Sequence, residues 1–124
     1  GSNHKQTAAY YNNVGSFYFK LGHDEQAGKM HGEALKARVI LFGESHFESA
    51  QSYANLALVL VRSGKVVEGL DHFEKALCGF ESNLKVSGSD YQIVAANYRD
   101  VLESMGDERS VEALDQRLVK NSLV

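Results

Sequence analysis

Several features that define other classes of protein are missing from this sequence. Its 124 residues contain no proline and no tryptophan, and Cys78 is the single cysteine. One cysteine cannot form an internal disulfide framework, and this usage is typical of a reducing compartment such as the cytoplasm. No apolar run approaches the roughly 20 residues that a membrane-spanning helix needs. A disulfide-stabilised fold and insertion into a membrane are therefore not expected.

The chain also lacks a strong excess of charge of either sign, since its formal net charge is −3 at pH 7. This balance does not favour non-specific binding to nucleic acid. The charge is nevertheless uneven along the chain. Residues 1–46 contain five Lys/Arg and four Asp/Glu, residues 47–88 contain four and five, and residues 89–124 contain four and seven. A graded field of this kind can orient a charged partner.

A repeat of 42 residues runs through the chain. Two sets of identical residues recur at this spacing, one of asparagines and one of glycines: Asn13, Asn55 and Asn97; Gly22, Gly64 and Gly106. A fixed period in this range is the signature of stacked-repeat proteins. Strand-type alternation is not sustained anywhere in the sequence, so the repeating unit is expected to be helical.

The middle unit shows how each repeat is expected to fold. Apolar residues between Val66 and Leu84 recur in steps of four and three, which places them on one face of a helix. A similar stripe runs from Ala50 to Leu60, and Gly64, which can adopt positive φ, lies between the two. Neither helix can bury its stripe alone, so about three units must stack for stability. The sequence predicts an all-α, right-handed superhelical stack of three helix-turn-helix hairpins.

These hairpins are predicted to form one domain, because no linker is long enough to divide the chain. Their approximate bounds are residues 6–46, 47–88 and 89–122. Gly1 and Ser2 resemble residues left by a cloning site, so we expect the chain to be a fragment of a longer protein.

Local signals predict the helix ends in the first half of the chain. The first helix is expected over about residues 6–21, and Asp24 is the expected N-cap of the second. Gly43 is expected to end the second helix. Ser45 and Glu48 form a Ser-x-x-Glu capping box, which predicts that the third helix opens there.

Similar signals predict the helix ends in the second half. The fourth helix is expected over about residues 66–86, broken by the Ser-Gly pair at 87–88. A Ser-x-x-Gln pattern over 89–92 is a second capping box and predicts the start of the fifth helix. Asp107 is the expected N-cap of the sixth.

Small and large residues alternate in the first two units at matching positions: Val14, Gly15, Tyr18, Ala27, His31 and Ala34; Leu56, Ala57, Leu60, Gly69, Phe73 and Ala76. This pattern resembles the signature of the tetratricopeptide repeat. The 42-residue period is similar to that of the kinesin light chain type, and so is the Leu-Phe-Gly-Glu-Ser-His segment before the second unit. Phe47 stands where that family commonly has proline.

The third unit departs from the family pattern. Arg99 stands where a small residue is expected. Val111, Asp115 and Leu118 replace the set of small, aromatic and alanine residues. We therefore expect the last helix to pack differently from its counterparts, as a terminal cap.

The resemblance implies a binding groove lined by the first helix of each hairpin. In the family, asparagines at this position hold a peptide backbone, which implies that role for Asn13, Asn55 and Asn97. A side-chain amide both donates and accepts hydrogen bonds, so it can pair with either backbone group of an extended peptide. The alternative is that each asparagine bridges neighbouring helices or is solvated.

Helical spacing adds neighbours to the asparagines on the same face: Ser16 and Lys20; Leu58 and Arg62; Asp100 and Ser104. The groove would then be basic at the first two hairpins and acidic at the third. The alternative for Lys20 and Arg62 is that they are solvated charges. Phe19 and Val61 lie beside them and are expected to contact adjacent helices rather than a ligand.

No catalytic, cofactor-binding or metal-binding residue is predicted. Residues 22–29 faintly resemble a phosphate-binding loop, but five residues separate the glycines instead of four, and Met30 replaces the required Ser or Thr. The five histidines lack metal-ligand spacing, and His31 is expected to pack between helices. Cys78 has no basic neighbour four residues away and is expected to be a structural thiol.

Two functions remain open. The first is a non-enzymatic scaffold that holds a short linear peptide in its groove, and the resemblance implies an adaptor role with an acidic or amphipathic cargo motif as ligand. The alternative is an assembly module whose repeat ends or convex face join copies or other subunits. Apolar residues at the groove favour the first: Phe19, Leu58, Val61 and Ile93. Leu123, Val124 and the divergent third unit favour the second. Either way the expected partner is a protein or peptide, or a second copy.

Overall fold

The computed structural model describes residues 2–121. All regular elements in this part of the chain are helices: α1 (Ser2–Lys20), α2 (Asp24–Phe42), α3 (Phe47–Arg62), α4 (Val66–Glu81), α5 (Leu84–Ser104) and α6 (Glu108–Lys120). They pair in sequence order as α1–α2, α3–α4 and α5–α6, and α2 and α4 also contact the first helix of the next hairpin. The prediction of an all-α stack of three hairpins is confirmed. None of the described helices combines the length and apolarity needed to cross a membrane.

Each hairpin turns at one of the three glycines spaced 42 residues apart. Gly22, Gly64 and Gly106 have φ values of 79°, 87° and 72°, a region that favours glycine. At the first turn the amide of Gly22 donates to the Phe19 carbonyl, and the amide of His23 donates to the Tyr18 carbonyl. The same two hydrogen bonds recur at the other two turns. All three are Schellman motifs, which satisfy the last carbonyls of the preceding helix.

The core lies in the middle hairpin, where α3 and α4 pack closely. Ala57 and Phe73 are fully buried there, in a cluster that extends to Tyr98 of α5. Gly79 permits the close approach, because a Cβ at this position would lie 2.6 Å from the Cβ of Ala50. The middle hairpin therefore supplies most of the apolar packing that holds the stack together.

The predicted capping box at the start of α3 is wrong. The N-cap is His46, whose Nδ1 accepts a hydrogen bond from the amide of Glu48 at 3.0 Å, while Ser45 is exposed. The imidazole is stacked against the rings of Phe42 and Phe47, with centroids 4.7 and 4.3 Å away. This stacking holds the imidazole over the first turn of α3.

The predicted break between α4 and α5 is also misplaced. α4 ends at Glu81 and α5 begins at Leu84, so the Ser-Gly pair and the second capping-box pattern lie inside α5. Ser87 is buried, and its hydroxyl lies 2.7 Å from the carbonyl oxygens of both Phe80 and Asn83, so it can donate to either. Ser87 therefore closes the turn between the two helices instead of ending one of them.

The other predicted helix ends give mixed results. Gly43 ends α2 as expected, with φ 90°. Asp107 caps α6 as expected, because its carboxylate accepts from the amide of Ser110 at 3.1 Å. Asp24 is the first residue of α2 rather than its N-cap, which is His23. The carboxylate of Asp24 is bound by a side chain from the next hairpin, as shown below.

Candidate functional site

The three ladder asparagines lie on the first helices of the three hairpins. Asn13 is exposed, and Asn55 and Asn97 are partly exposed. α1 contacts α3, and α3 contacts α5, so the three helices form one continuous surface. We call this surface the first-helix face and define it by three lines of residues at helical spacing: Ala9, Asn13, Ser16 and Lys20; Gln51, Asn55, Leu58 and Arg62; Ile93, Asn97, Asp100 and Ser104.

One ladder asparagine is joined to the neighbouring helix. The Nδ2 group of Asn55 donates to Oδ1 of Asn12 at 2.8 Å, linking α3 to α1. The contribution of Asn12 could not be predicted, because alanine occupies its position in the other two repeats. The Oδ1 atom of Asn55 remains free to accept. No side-chain hydrogen bond joins Asn13 or Asn97 to another residue in the described part of the chain, so their amides are available to a ligand.

The cations of the first-helix face differ in their surroundings. Arg62 donates from Nε to the carboxylate of Asp24 at 2.8 Å and from Nη2 to the Phe19 carbonyl at 2.6 Å. Its guanidinium lies 3.5 Å from the centre of the Phe19 ring, a cation–π contact. The hydrogen bond from Arg62 lowers the pKa of Asp24. Arg62 is thus engaged within the protein, whereas Lys20 is exposed and makes no ion pair with any described residue.

The apolar residues near the asparagines behave in two ways. Phe19 lies beneath Arg62, and Val61 packs against α4, where a Cβ on Gly69 would come within 2.7 Å of Val61 Cγ2. The prediction that both contact adjacent helices is confirmed. Leu58 is partly buried against the core. Ile93 is 61% exposed beside Asn97, so it offers apolar surface to a ligand at the third hairpin.

His31 and Cys78 belong to residue types that often bind metals or act as nucleophiles, and their surroundings show how each is placed in this fold. His31 is buried against Gly15, and burial, followed by the charge of Arg38, lowers its pKa to about 4. The expectation of a packed histidine is confirmed, and the ring is neutral at pH 7. Cys78, predicted to be a structural thiol without a basic neighbour, is exposed, and its Sγ lies 3.6 Å from the guanidinium of Arg117. Arg117 is remote in sequence, so helical spacing could not show it.

The described residues include no group of three or more His, Cys, Asp or Glu side chains placed to hold a metal ion. The residues predicted for the groove therefore form the candidate site. All of them lie on the first helices of the three hairpins: Asn13, Asn55, Asn97, Ser16, Lys20, Leu58, Arg62 and Asp100. Asn12 joins them as a residue that sequence reasoning missed.

Comparison with known proteins gives a family. No curated protein sequence matches the chain. The family model described as tetratricopeptide repeat matches residues 6–82, which are the first two hairpins. Among solved structures, BtubC (BKLC) from P. vanneervenii is similar in fold, with a TM-score of 0.80 and 24% sequence identity. The similarity covers 92% of this chain and 46% of that one, so the chain spans about half the length of that structure. The chain belongs to the tetratricopeptide repeat family, and its repeats are spaced 42 residues apart.

Proposed function

We propose that this protein is a non-enzymatic scaffold that binds a short extended peptide across the first-helix face. Its tetratricopeptide repeats indicate a scaffold for protein–protein interaction. The observation that carries the proposal is the asparagine ladder. The turn conformation accounts for the repeated glycines, but Asn13 and Asn97 present amides that make no side-chain hydrogen bond with described residues. Amides that repeat at one position of the first helices, two of them without a partner among the described residues, are suited to a ligand with a regular backbone.

An extended peptide has the required chemistry. Its backbone alternates donors and acceptors, and a side-chain amide can pair with both. Packed helices lie about 8–10 Å apart, and a strand rises about 3.3 Å per residue. Successive asparagines would therefore meet every third residue of the peptide, and three asparagines would engage about seven residues. Such a site would hold the backbone whatever the peptide's sequence.

Neighbouring side chains supply the preference for a sequence. Lys20 at the first hairpin would attract an acidic residue, and Ile93 at the third would accept an apolar one. Asp100 would repel a second acid at that end. The favoured ligand is therefore an amphipathic segment, acidic at one end and apolar at the other, consistent with an adaptor that recognises a linear motif.

The test is binding to an array of short peptides with wild-type protein and the Asn13→Ala, Asn97→Ala double variant. Neither substitution removes a hydrogen bond to another described residue, so the melting temperature should be unchanged while selective hits are lost. Asn83→Ala is a matched control, because Asn83 is exposed, makes no side-chain capping bond and lies away from this face. Hits that survive in the double variant would rule out the ladder as the binding element.

Asn55→Ala is informative in a different way. It breaks the link to Asn12, so we expect a loss of stability of about 1 kcal/mol together with weaker binding. Asn12→Ala should give the same loss of stability and leave Asn55 free to bind. A comparison of the two variants separates the structural contribution of Asn55 from its contribution to the ligand.

A second candidate function, self-association through a repeat end, rests on a different observation. The outer side of α1 and the turn after it expose large apolar residues: Tyr10 at 62%, Phe17 at 60% and Leu21 at 53% exposure. The residues one repeat after Tyr10 and Phe17 are Ser52 and Val59, which are buried because α2 covers them. The C-terminal residues first suspected, Leu123 and Val124, lie outside the described residues.

Sedimentation across a wide range of concentration tests this candidate. A dimer that is lost in Phe17→Glu, with unchanged peptide binding, would establish assembly through α1. A monomer at all concentrations would exclude it.

A further inference from the structure

One contact between the first two hairpins serves as a template. Arg62, at the end of α3, reaches back to the turn between α1 and α2. It binds the carboxylate of Asp24 and the carbonyl of Phe19. That carbonyl also accepts from the Gly22 amide at 3.0 Å, so both of its lone pairs are used. The turn of one hairpin thus forms a receptor for an arginine on the helix that covers it.

The second turn lacks both halves of this contact. Val66 occupies the position of Asp24, and Ser104 occupies the position of Arg62. The hydroxyl of Ser104 donates to the Val101 carbonyl of its own helix instead. The acid and the arginine are therefore present together at the first turn and absent together at the second. An acid at this position of a turn indicates a basic residue on the covering helix.

The third turn has the acid, with no covering helix in the described chain. Glu108 stands at the position of Asp24, and Glu103 stands at the position of Phe19. The Glu103 carbonyl accepts from the Gly106 amide at 2.9 Å, as the Phe19 carbonyl does from the Gly22 amide. A cavity of about 360 Å³ opens here, with Glu108 among its lining residues.

A second acid extends the same surface. Glu112 of α6 stands at the position of Gly28 in α2. Gly28 faces Val59 of α3, since a Cβ added to it would lie 3.6 Å from Val59 Cγ1. Val59 precedes Arg62 by three residues. A helix that covers α6 as α3 covers α2 would therefore place two of its own residues, three apart in its sequence, next to Glu108 and Glu112.

The remaining carboxylates of this cavity already have partners. Glu103 and Asp115 are both bound by Arg99, and Asp107 accepts from the amide and hydroxyl of Ser110. Glu108 and Glu112 are exposed and form no ion pair with any residue in the described range. They are the two carboxylates that a docked helix would neutralise.

We propose that this surface, which we call the outer face of α6, binds a helix of a partner protein that carries arginine or lysine at two positions three residues apart. The helix would dock as α3 docks on the first hairpin, with one basic residue at Glu108 and the other at Glu112. Charge complementarity identifies the partner, since residues 89–124 contain four Lys/Arg and seven Asp/Glu. A second copy fits poorly, because the outer stripe of α1 is apolar rather than basic.

The test uses a peptide built on α3, residues 47–62. The peptide retains Arg62 and carries Val59→Lys, which supplies the second basic residue. Glutamine replaces Ala50, Tyr53 and Ala57, which face α4 in the hairpin and would otherwise expose apolar surface. A lactam bridge on its solvent side holds the helix, since isolated helices of about this length are marginal in water. Its binding to the full chain is measured by fluorescence anisotropy.

We expect saturable binding that weakens with added salt, because the ion pairs are exposed. The protein variant Glu108→Gln, Glu112→Gln, which loses both ion pairs, should bind about tenfold more weakly, and a peptide with Arg62→Gln, which loses one, about threefold more weakly. Glu25→Gln, Glu68→Gln is the matched control, with the same change of charge at exposed sites on α2 and α4, and should bind like wild type. Absence of saturable binding, or equal weakening by both double variants, would overturn the proposal.

Two further measurements separate this proposal from the others. Asn13→Ala, Asn97→Ala should not change the affinity for the helical peptide, because the two surfaces are on different helices. A loss in that variant would mean that the peptide binds the first-helix face and would refute docking on α6. Sedimentation that shows a dimer of the chain, lost in Glu108→Gln, Glu112→Gln, would make a second copy the occupant and would also overturn the proposal.

Discussion

Residues 42 positions apart can be compared directly between the hairpins, and one pair of positions differs in all three. In the first hairpin Gly15 lies against the ring of His31, so closely that a Cβ on the glycine would be 2.9 Å from it. In the middle hairpin the same positions hold Ala57 and Phe73, both fully buried. A small residue facing a ring joins the two helices in each case.

The third hairpin joins its helices with charge at these positions. Arg99 binds Asp115 through two hydrogen bonds of 2.8 and 3.0 Å, and both side chains are partly exposed. A second ionic contact crosses to the previous hairpin, where Arg117 of α6 binds Glu81 in a bidentate pair and also reaches Glu74. Only one residue of α6, Leu114, is buried.

This difference indicates where stability resides. Burial of apolar surface is the main favourable term in folding, whereas exposed ion pairs contribute little. The middle hairpin should therefore set the stability of the whole domain, and α6 should be the helix that opens first. The following substitutions test that ranking.

The largest effect is expected for Phe73→Ala. The ring is fully buried and stacks on Tyr98 with centroids 5.1 Å apart, so its removal leaves a cavity between α4 and α5. The expected loss is about 3–5 kcal/mol in the free energy of unfolding, measured by urea denaturation. A loss below about 1 kcal/mol would mean that the middle hairpin is not the core of the domain.

His31→Phe gives the first hairpin the ring that the middle hairpin has at the equivalent position, Phe73. The folded-state pKa of His31 is lowered to about 4 by burial, and the ring ordinarily titrates near 6.5. Stability from the neutral ring is complete above pH 6.5 and is lost as the pH falls from 6.5 through 4, by up to about 3 kcal/mol.

Wild-type unfolding free energy should therefore fall over this interval, and His31→Phe should flatten that part of the profile. The quantity to compare is the slope of unfolding free energy against pH, because the larger phenylalanine ring can change the absolute stability at every pH. Parallel profiles for the two proteins would contradict the burial of a neutral histidine.

Gly79→Ala should destabilise the middle hairpin by about 1–3 kcal/mol, because the new methyl group would overlap Ala50. Gly32→Ala is the matched control in α2. A Cβ at Gly32 meets nothing within 4 Å, so alanine should stabilise the protein by about 0.5–1 kcal/mol through its higher helix propensity. Thermal melts of the two variants should move in opposite directions, and a shared direction would count against close packing at Gly79.

Asp115→Asn should have the smallest effect. Hydrogen bonding from Arg99 lowers the pKa of Asp115, but the pair is exposed to solvent. The melting temperature of the variant should be only slightly below that of wild type, and the difference should disappear at high salt, where exposed ion pairs are screened. A large loss that persists in salt would show that the third hairpin depends on this pair as the middle one depends on its aromatic ring.

Much of this architecture could be predicted from the sequence. The 42-residue spacing of Gly22, Gly64 and Gly106 predicted three equivalent turns, and the alternation around Phe73 predicted the core. These predictions are correct because the turn conformation and the pattern of burial both recur at the same 42-residue spacing as the residues. The position of the asparagine ladder was predicted for the same reason.

The features that could not be predicted depend on contacts that do not recur every 42 residues. His46 replaces Ser45 as the cap because two phenylalanine rings hold its imidazole in place. Asn12 has no counterpart in the other repeats, so its bond to Asn55 leaves no trace in the spacing. Arg117 reaches α4 from 36 residues away. The spacing therefore predicts which residues share a helix face, but not which of them are already bonded within the protein.

The three identical turns have a consequence for how such a protein can grow. The hydrogen bonds of each turn lie within six consecutive residues; in the first hairpin they run from the Tyr18 carbonyl to the His23 amide. We call this six-residue turn a joint. A duplication of 42 residues therefore copies a complete joint unless its boundary falls within those six. The helix faces can then diverge while the geometry of the joint is retained. Gene duplication can in this way add a new surface, such as the acidic outer face of α6, while the turn between the two helices stays the same.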